Sequence, residues 1–187
     1  MASKNKGTSE LFRLDYTLTQ ASNDALVIEQ IDTQLALADQ RAWKIERMAV
    51  DLGAIPAADY TGGTGAAAVW ESRVQLLNDL SATLKSSRLD RAVVSECRRR
   101  ILGGYSGAAL GQFVIDSCGP WTPYNDVQID EPWPDQALIV RPAVNLLFDY
   151  DNGGAATART VYVAIWYREI DIDCTTLQML LTSGAGL

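Results

Sequence analysis

The feature that most constrains this chain is an alternation of apolar and polar residues with a period of two. From Leu11 to Gln20, Phe12, Leu14, Tyr16 and Leu18 alternate with Arg13, Asp15, Thr17 and Thr19. Successive side chains of an extended strand point to opposite faces, so this segment presents one apolar and one wet face, as a half-buried antiparallel strand does. Trp43 to Leu52 repeats the pattern with a change of phase. Trp43 and Ile45 share one parity, whereas Met48, Val50 and Leu52 share the other. A β-bulge near Arg47 reconciles the two halves, because one extra residue in a strand returns the next apolar side chain to the same face.

The same periodicity recurs along the chain. Ala25 to Ile31 is a short apolar segment that Thr33 to Ala38 either continues or pairs with, and Trp70, Ser72, Val74 and Leu76 alternate with Glu71, Arg73 and Gln75. Gln112 to Cys118, Ala137 to Arg141 and Ala143 to Tyr150 add three more segments. Thr160 to Asp173 is the longest strand. Its start is expected to be buried on both faces, and its end, with Glu169, Asp171 and Asp173, to carry one face into water. Thr176 to Thr182 is expected to close the set as a strand. One stretch breaks the rule: Leu89, Val93, Cys97 and Ile101 recur every four residues, with Ser86 or Ser87 before them and Gly103-Gly104 after. That spacing predicts a helix over about 87–102, with a strand over Ala92 to Ile101 as its competitor. Between these elements lie a glycine-rich loop, Gly53 to Gly65, a proline-rich stretch, Gly119 to Asp135, and a strong turn at Asp151-Asn152-Gly153-Gly154.

About eight strands without strand–helix–strand alternation argue against a parallel doubly wound sheet. They suit an all-β, eight-stranded antiparallel jelly-roll sandwich with one inserted helix. The expected organisation is a flexible arm over 1–9, one domain over 10–182 and a loose tail over 183–187. With 48% hydrophobic and 21% charged residues, 187 residues can bury a core of their own. The opening MASKNKGTSE has no apolar stretch of the kind a secretory signal needs, and no apolar run approaches the roughly 20 residues that span a bilayer.

Histidine is absent. This removes serine–histidine and cysteine–histidine nucleophile pairs and histidine-containing zinc sites. The net charge of −7 disfavours a non-specific hold on nucleic acid. Cys97, Cys118 and Cys174 are odd in number and form no Cys-x-x-Cys motif, so they are expected to be half-buried thiols. Asp149, Asp151 and Asn152 resemble the opening of a calcium loop but lack its later ligands, which makes a polar turn the better reading. Gly62-Gly63-Thr64-Gly65 has neither the lysine nor the helix of a phosphate loop. Glu169, Asp171 and Asp173 share a strand face roughly 6–7 Å apart, a separation at which carboxylates can do acid–base work on a glycoside. A solvated strand end whose charges discourage edge pairing is the better reading of them. No catalytic residue, metal ligand set or cofactor site is therefore expected.

Two features point to contacts with other molecules instead. Arg98-Arg99-Arg100, with Arg88 and Arg91 nearby, is the one basic cluster, able to meet phosphates, lipid headgroups or an acidic neighbour. Trp121 and Trp133 are each held between prolines, in PWTP and PWP, which presents a large ring at little entropic cost. The plainer alternatives are a solvated face for the arginines and a plug over one end of the sandwich for the tryptophans.

TVYVAIWYREIDID at 160–173, WKIERMAVDL at 43–52 and VWESRVQLL at 69–77, in the order polar arm, eight strands and helix-bearing insertion, resemble single jelly-roll capsid proteins. The layout is similar in particular to those of tailless icosahedral bacterial and archaeal viruses that carry an internal membrane. The resemblance covers about residues 10 to 182. It implies a non-enzymatic structural virion protein, made in the host cytoplasm and assembling with copies of itself, with or without a second coat protein, into a shell that contacts a membrane. It also places Trp121, Trp133, Arg98, Arg99 and Arg100 at subunit contacts. The arm has only Lys4 and Lys6, unlike the arginine-rich arms of many small virus coats, so direct nucleic-acid binding is not expected. Two alternatives stay open: a carbohydrate-binding or glycoside-cleaving sandwich, and a phage head-decoration or fibre module.

Overall fold

The computed structural model describes residues 10–21, 25–51, 69–86, 90, 92–102, 113–119, 138–151 and 158–183, with backbone alone at 37, 69, 70, 99–102, 113–119, 151 and 183. Nine strands are present among them: β1 (Phe12–Gln20), β2 (Val27–Asp32), β3 (Arg41–Asp51), β4 (Val69–Leu77), β5 (Val93–Leu102), β6 (Phe113–Gly119), β7 (Leu138–Ile139), β8 (Ala143–Asp151) and β9 (Arg159–Asp171). A 3-10 turn, Leu37–Asp39, precedes β3, and a helix, α1 (Cys174–Ser183), follows β9.

All the pairings are antiparallel, and they build two sheets in the orders β1-β9-β3-β7 and β2-β8-β4-β5-β6. From β1 to β4 the chain changes sheet at every connection, stays in one sheet through β6, and changes sheet again at each step to β9. This double wrap is the jelly roll. β6 is the fifth strand of the second sheet, at its edge, and brings the total among the described residues to nine.

The core lies between the sheets. On β1, Phe12, Leu14, Tyr16 and Leu18 turn inward as the alternation predicts, and on β9 the inward set is Val161, Val163, Ile165 and Tyr167. β3 carries the expected bulge: Ile45 pairs with Tyr167 and Arg47 with Trp166, so Glu46 is the extra residue. Trp43, Ile45 and Met48 are all thereby buried. The rings of Trp43 and Phe12 stack on Tyr167, with centroids 3.9 and 5.4 Å away. From the other sheet come Val74, Leu76, Val144, Leu146 and Phe148, none more than 1% exposed.

Four expectations are corrected. The segment 87–102 does not form a helix where it is described: Val93–Leu102 is a strand. A period of four is also a multiple of two, so Cys97 and Ile101 share a parity on an extended chain too, while a register shift between Val93 and Ser95 places Val93 in a different cluster from Cys97. Thr176 to Thr182 is helical, not a strand. Asp173 caps it, with Oδ1 accepting from the Thr176 amide at 2.9 Å and Oδ2 from the Thr176 hydroxyl at 2.8 Å. Thr33 to Ala36 continues no strand. It leaves the sheet through Gln34 at φ 58°, a left-handed residue whose amide donates to Asp32. Lastly, β9 is not buried on both faces at its start, where Tyr162 is 58% exposed; at its end Asp171 and Asp173 do face water, while Ile170 and Ile172 on the other face pack with Leu177, Leu180 and Leu181 of α1.

The cysteines also differ from expectation. Cys97 is fully buried and disulfide-bonded, whereas Cys174 is exposed and free. The backbone register sets Cys118 of β6 directly opposite Cys97. Thiol titration of the folded, unreduced chain is expected to find one fast thiol, lost in Cys174→Ser, and three thiols after reduction and unfolding.

Candidate functional site

The outer face of the five-stranded sheet carries buried polar side chains beside a small apolar cluster of Leu77, Val93 and Leu147. Residues 78–86 leave β4 and fold back across it. Gln75, 0% exposed, accepts from the Lys85 amide at 2.8 Å and donates to the Lys85 carbonyl at 3.0 Å. Asn145 donates to the Ser81 carbonyl at 3.1 Å, and its amide donates to the Asp79 carbonyl at 3.0 Å. Beneath this strap Arg73 and Glu96 form a two-pronged ion pair, with Nε to Oε1 and Nη2 to Oε2 both 3.1 Å. Gln75 adds a third bond to Glu96 at 3.0 Å, and Arg73 reaches the Lys85 carbonyl. Gln75, Arg73, Glu96 and Asn145 each have a partner, so the network ties a loop to a sheet.

The predicted contact residues are only partly placed. Trp121 and Trp133 lie outside the described residues, as do Arg88 and Arg91. Arg98 sits on the same outer face and pairs with Glu71, with Nε 2.6 Å from Oε1 and Nη2 2.8 Å from Oε2. Arg99 and Arg100 occupy β5 opposite Asp116 and Ile115. On a strand, 98 and 100 share one parity and 99 the other, so the fan of three arginines over a helix is replaced by an alternating arrangement.

The three carboxylates at the end of β9 are separated by their roles. Glu169 pairs with Arg41, Asp171 is exposed, and Asp173 caps α1. Bonds from the Thr176 amide and hydroxyl hold the Asp173 carboxyl below its ordinary value. A carboxyl whose pKa is lowered by folding stabilises fully above its ordinary value near 3.8, and that contribution is lost as pH falls through the lowered one. Amide exchange in α1 should therefore accelerate in the wild type as the pH drops below 4, relative to Asp173→Asn, which caps without titrating. Equal pH dependence in both proteins would refute the assignment. Asp149 accepts a bond from Gln20 at 3.2 Å, Asn152 and Gly62 to Gly65 lie outside the described residues, and no cluster of three or more potential metal ligands occurs among the described ones.

The alternation did not flag the outer face of the four-stranded sheet as a site. Helix α1 covers its lower half through Leu177 and Leu180 against Ala42 and Val140. Above it runs a charged row in which Arg168 and Lys44 both approach Glu46. Next comes Trp166, flanked by Arg13 of β1 and Arg47 of β3, whose Cζ atoms lie 5.2 and 5.1 Å from its ring centre. Beyond Trp166 the face is open. Asp15, Ala164 and Ala49 form one row across three strands, and Thr17, Tyr162 and Asp51 form the next. The small alanines leave a groove of about 530 Å³, lined also by Arg13. The signal for it lay in two facts taken together: the bulge moves Arg47, Ala49 and Asp51 onto the outer face, and Tyr162, Ala164 and Trp166 share a parity with them.

No family model and no curated protein matches the chain. Among solved structures it is similar to an unassembled VP1 pentamer of KI polyomavirus, at a TM-score of 0.46 and 9% identity over 92% of this chain and 99% of that one.

Proposed function

We propose that this chain is a structural virion protein, a capsid subunit that assembles with copies of itself, rather than an enzyme. The observation that most supports the reading is the jelly-roll strand order, with one outer face covered by the strap 78–86 and the lower half of the other by α1. Such cladding makes a stiff block whose loops and sheet edges remain for contact. Burial of the inter-sheet core supplies the rigidity, at about 25 cal/mol per Å² of apolar surface. Closed symmetry then repeats contacts that are individually weak, and valency holds the shell together.

On this reading Trp121 and Trp133 anchor subunit contacts, and Arg99 and Arg100 contribute at the rim. Arg98 is already committed to Glu71 within the subunit. The finer assignment, to a membrane-containing icosahedral virus with or without a second coat protein, rests on the sequence resemblance, and a single domain over 10–182 between a short arm and tail rests on the length and even composition of the chain. Replacing both tryptophans by alanine is expected to leave a folded chain, with wild-type far-ultraviolet circular dichroism, that no longer forms assemblies in negative stain. Assemblies of normal size and yield from that variant would remove both residues from the contact.

A further inference from the structure

We propose that the open half of the outer face of the four-stranded sheet binds a neutral saccharide chain, lying along β9 between Trp166 and Tyr162. The two aromatic residues are four positions apart on one strand, so about 13 Å separates them at about 3.3 Å per residue. That is the length of a di- or trisaccharide. Between them the floor is cut low by Ala49 and Ala164, which leaves a groove of about 530 Å³ of the size that small ligands occupy.

Three observations select this chemistry. Tyr162 is 58% exposed on a face whose other end is covered by a helix, so the sheet leaves a large ring in water beside a hollow. The electron-rich face of such a ring suits the apolar C–H face of a pyranose. Besides its tyrosines, the groove's polar residues are two carboxylates, a hydroxyl and a guanidinium: Asp15, Asp51, Thr17 and Arg13. Carboxylates only accept and guanidinium only donates, and together they match the paired hydroxyls of a sugar. Arg13 and Asp15, paired at 2.6 Å, are still 55% and 62% exposed and keep bonding capacity toward solvent. Finally, the groove's lining holds one arginine against two aspartates, and Arg47 at its Trp166 end is set against that ring, so no cationic cluster lines the groove, which disfavours phosphate, sulfate and nucleic acid. A second copy of the chain is a poorer fit. Stable contacts bury about 800 Å² per partner around an apolar centre, whereas alanines and charges surround the lone tyrosine here.

The inference is independent of shell formation and is tested on the unassembled chain. Maltotriose, cellotriose and triacetylchitotriose serve as neutral probes, with 3′-sialyllactose and inorganic phosphate as charged ones, followed by calorimetry and amide chemical shifts. The expected result is binding of at least one neutral trisaccharide, with shifts at Ala49, Tyr162 and Ala164. Tyr162→Ala should weaken binding at least about tenfold with an unchanged melting temperature, and Asp15→Asn should weaken it without touching the ring. Tyr162→Ala should also form assemblies as the wild type does, which separates this inference from the structural reading. No binding of any neutral probe, preference for the charged ones, or equal affinity in Tyr162→Ala would overturn it. So would self-association of the chain that Tyr162→Ala abolishes, because the face would then be a contact between copies.

Discussion

Replacing Glu96 by alanine is expected to destabilise the fold by about 3–5 kcal/mol, the cost of leaving a buried charge without its partner. Arg73 and Glu96 have side chains only 11% and 7% exposed, and Glu96 also accepts from Gln75. Without Glu96, the Arg73 guanidinium remains under the strap with the Lys85 carbonyl as its surviving acceptor in the network. At about 2–4 °C per kcal/mol for a domain of this size, the melting temperature should fall by about 10 °C. The double replacement Arg73→Met with Glu96→Leu should recover most of the loss, since removing both charges also removes their desolvation cost. A single mutant within about 0.5 kcal/mol of wild type would mean that water reaches the pair and that the strap is not closed over it.

The second large effect is expected in the core. Phe148 is fully buried on β8, between Val27 of β2 and Val74 of β4, and faces the opposite sheet. Phe148→Ala should cost about 3–5 kcal/mol, combining lost transfer energy with an unfilled cavity. Against a typical total of about 5–15 kcal/mol this leaves a marginal fold, visible as a lower denaturant midpoint with little change in slope. Leu80→Ala is the control: at 55% exposure in the strap, it should stay within about 0.5 kcal/mol. A Phe148 variant as stable as the Leu80 variant would contradict the inter-sheet core.

Where one face of a strand met the core and the other met water, the alternation was legible. β1 lies where Phe12 to Leu18 put it, and the phase change at Arg47 foretold the bulge at Glu46. It failed where a second layer covers the outer face. β5 carries Ser95 and Glu96 as buried polar residues, and between Val93 and Ser95 its register shifts as well. Alternation is blurred there, and a spacing of four could be taken for a helix. The end of the chain failed for a different reason. A short apolar run such as Leu177 to Leu181 fits either period, but Asp173 followed three residues later by Thr176 is a capping signal that favours a helix. The outer groove was illegible because it depends on the register of three strands far apart in sequence. Arg13, Arg47 and Trp166 meet only once β1 and β3 flank β9.

The central claim is that these strands build a unit made to stack with its own kind. Sedimentation velocity of the purified wild-type chain, raised to its highest soluble concentration and paired with negative-stain images of the same samples, tests it most directly. The account predicts discrete symmetric oligomers or closed shells that grow in population with concentration. A strictly monomeric chain at every concentration would contradict it.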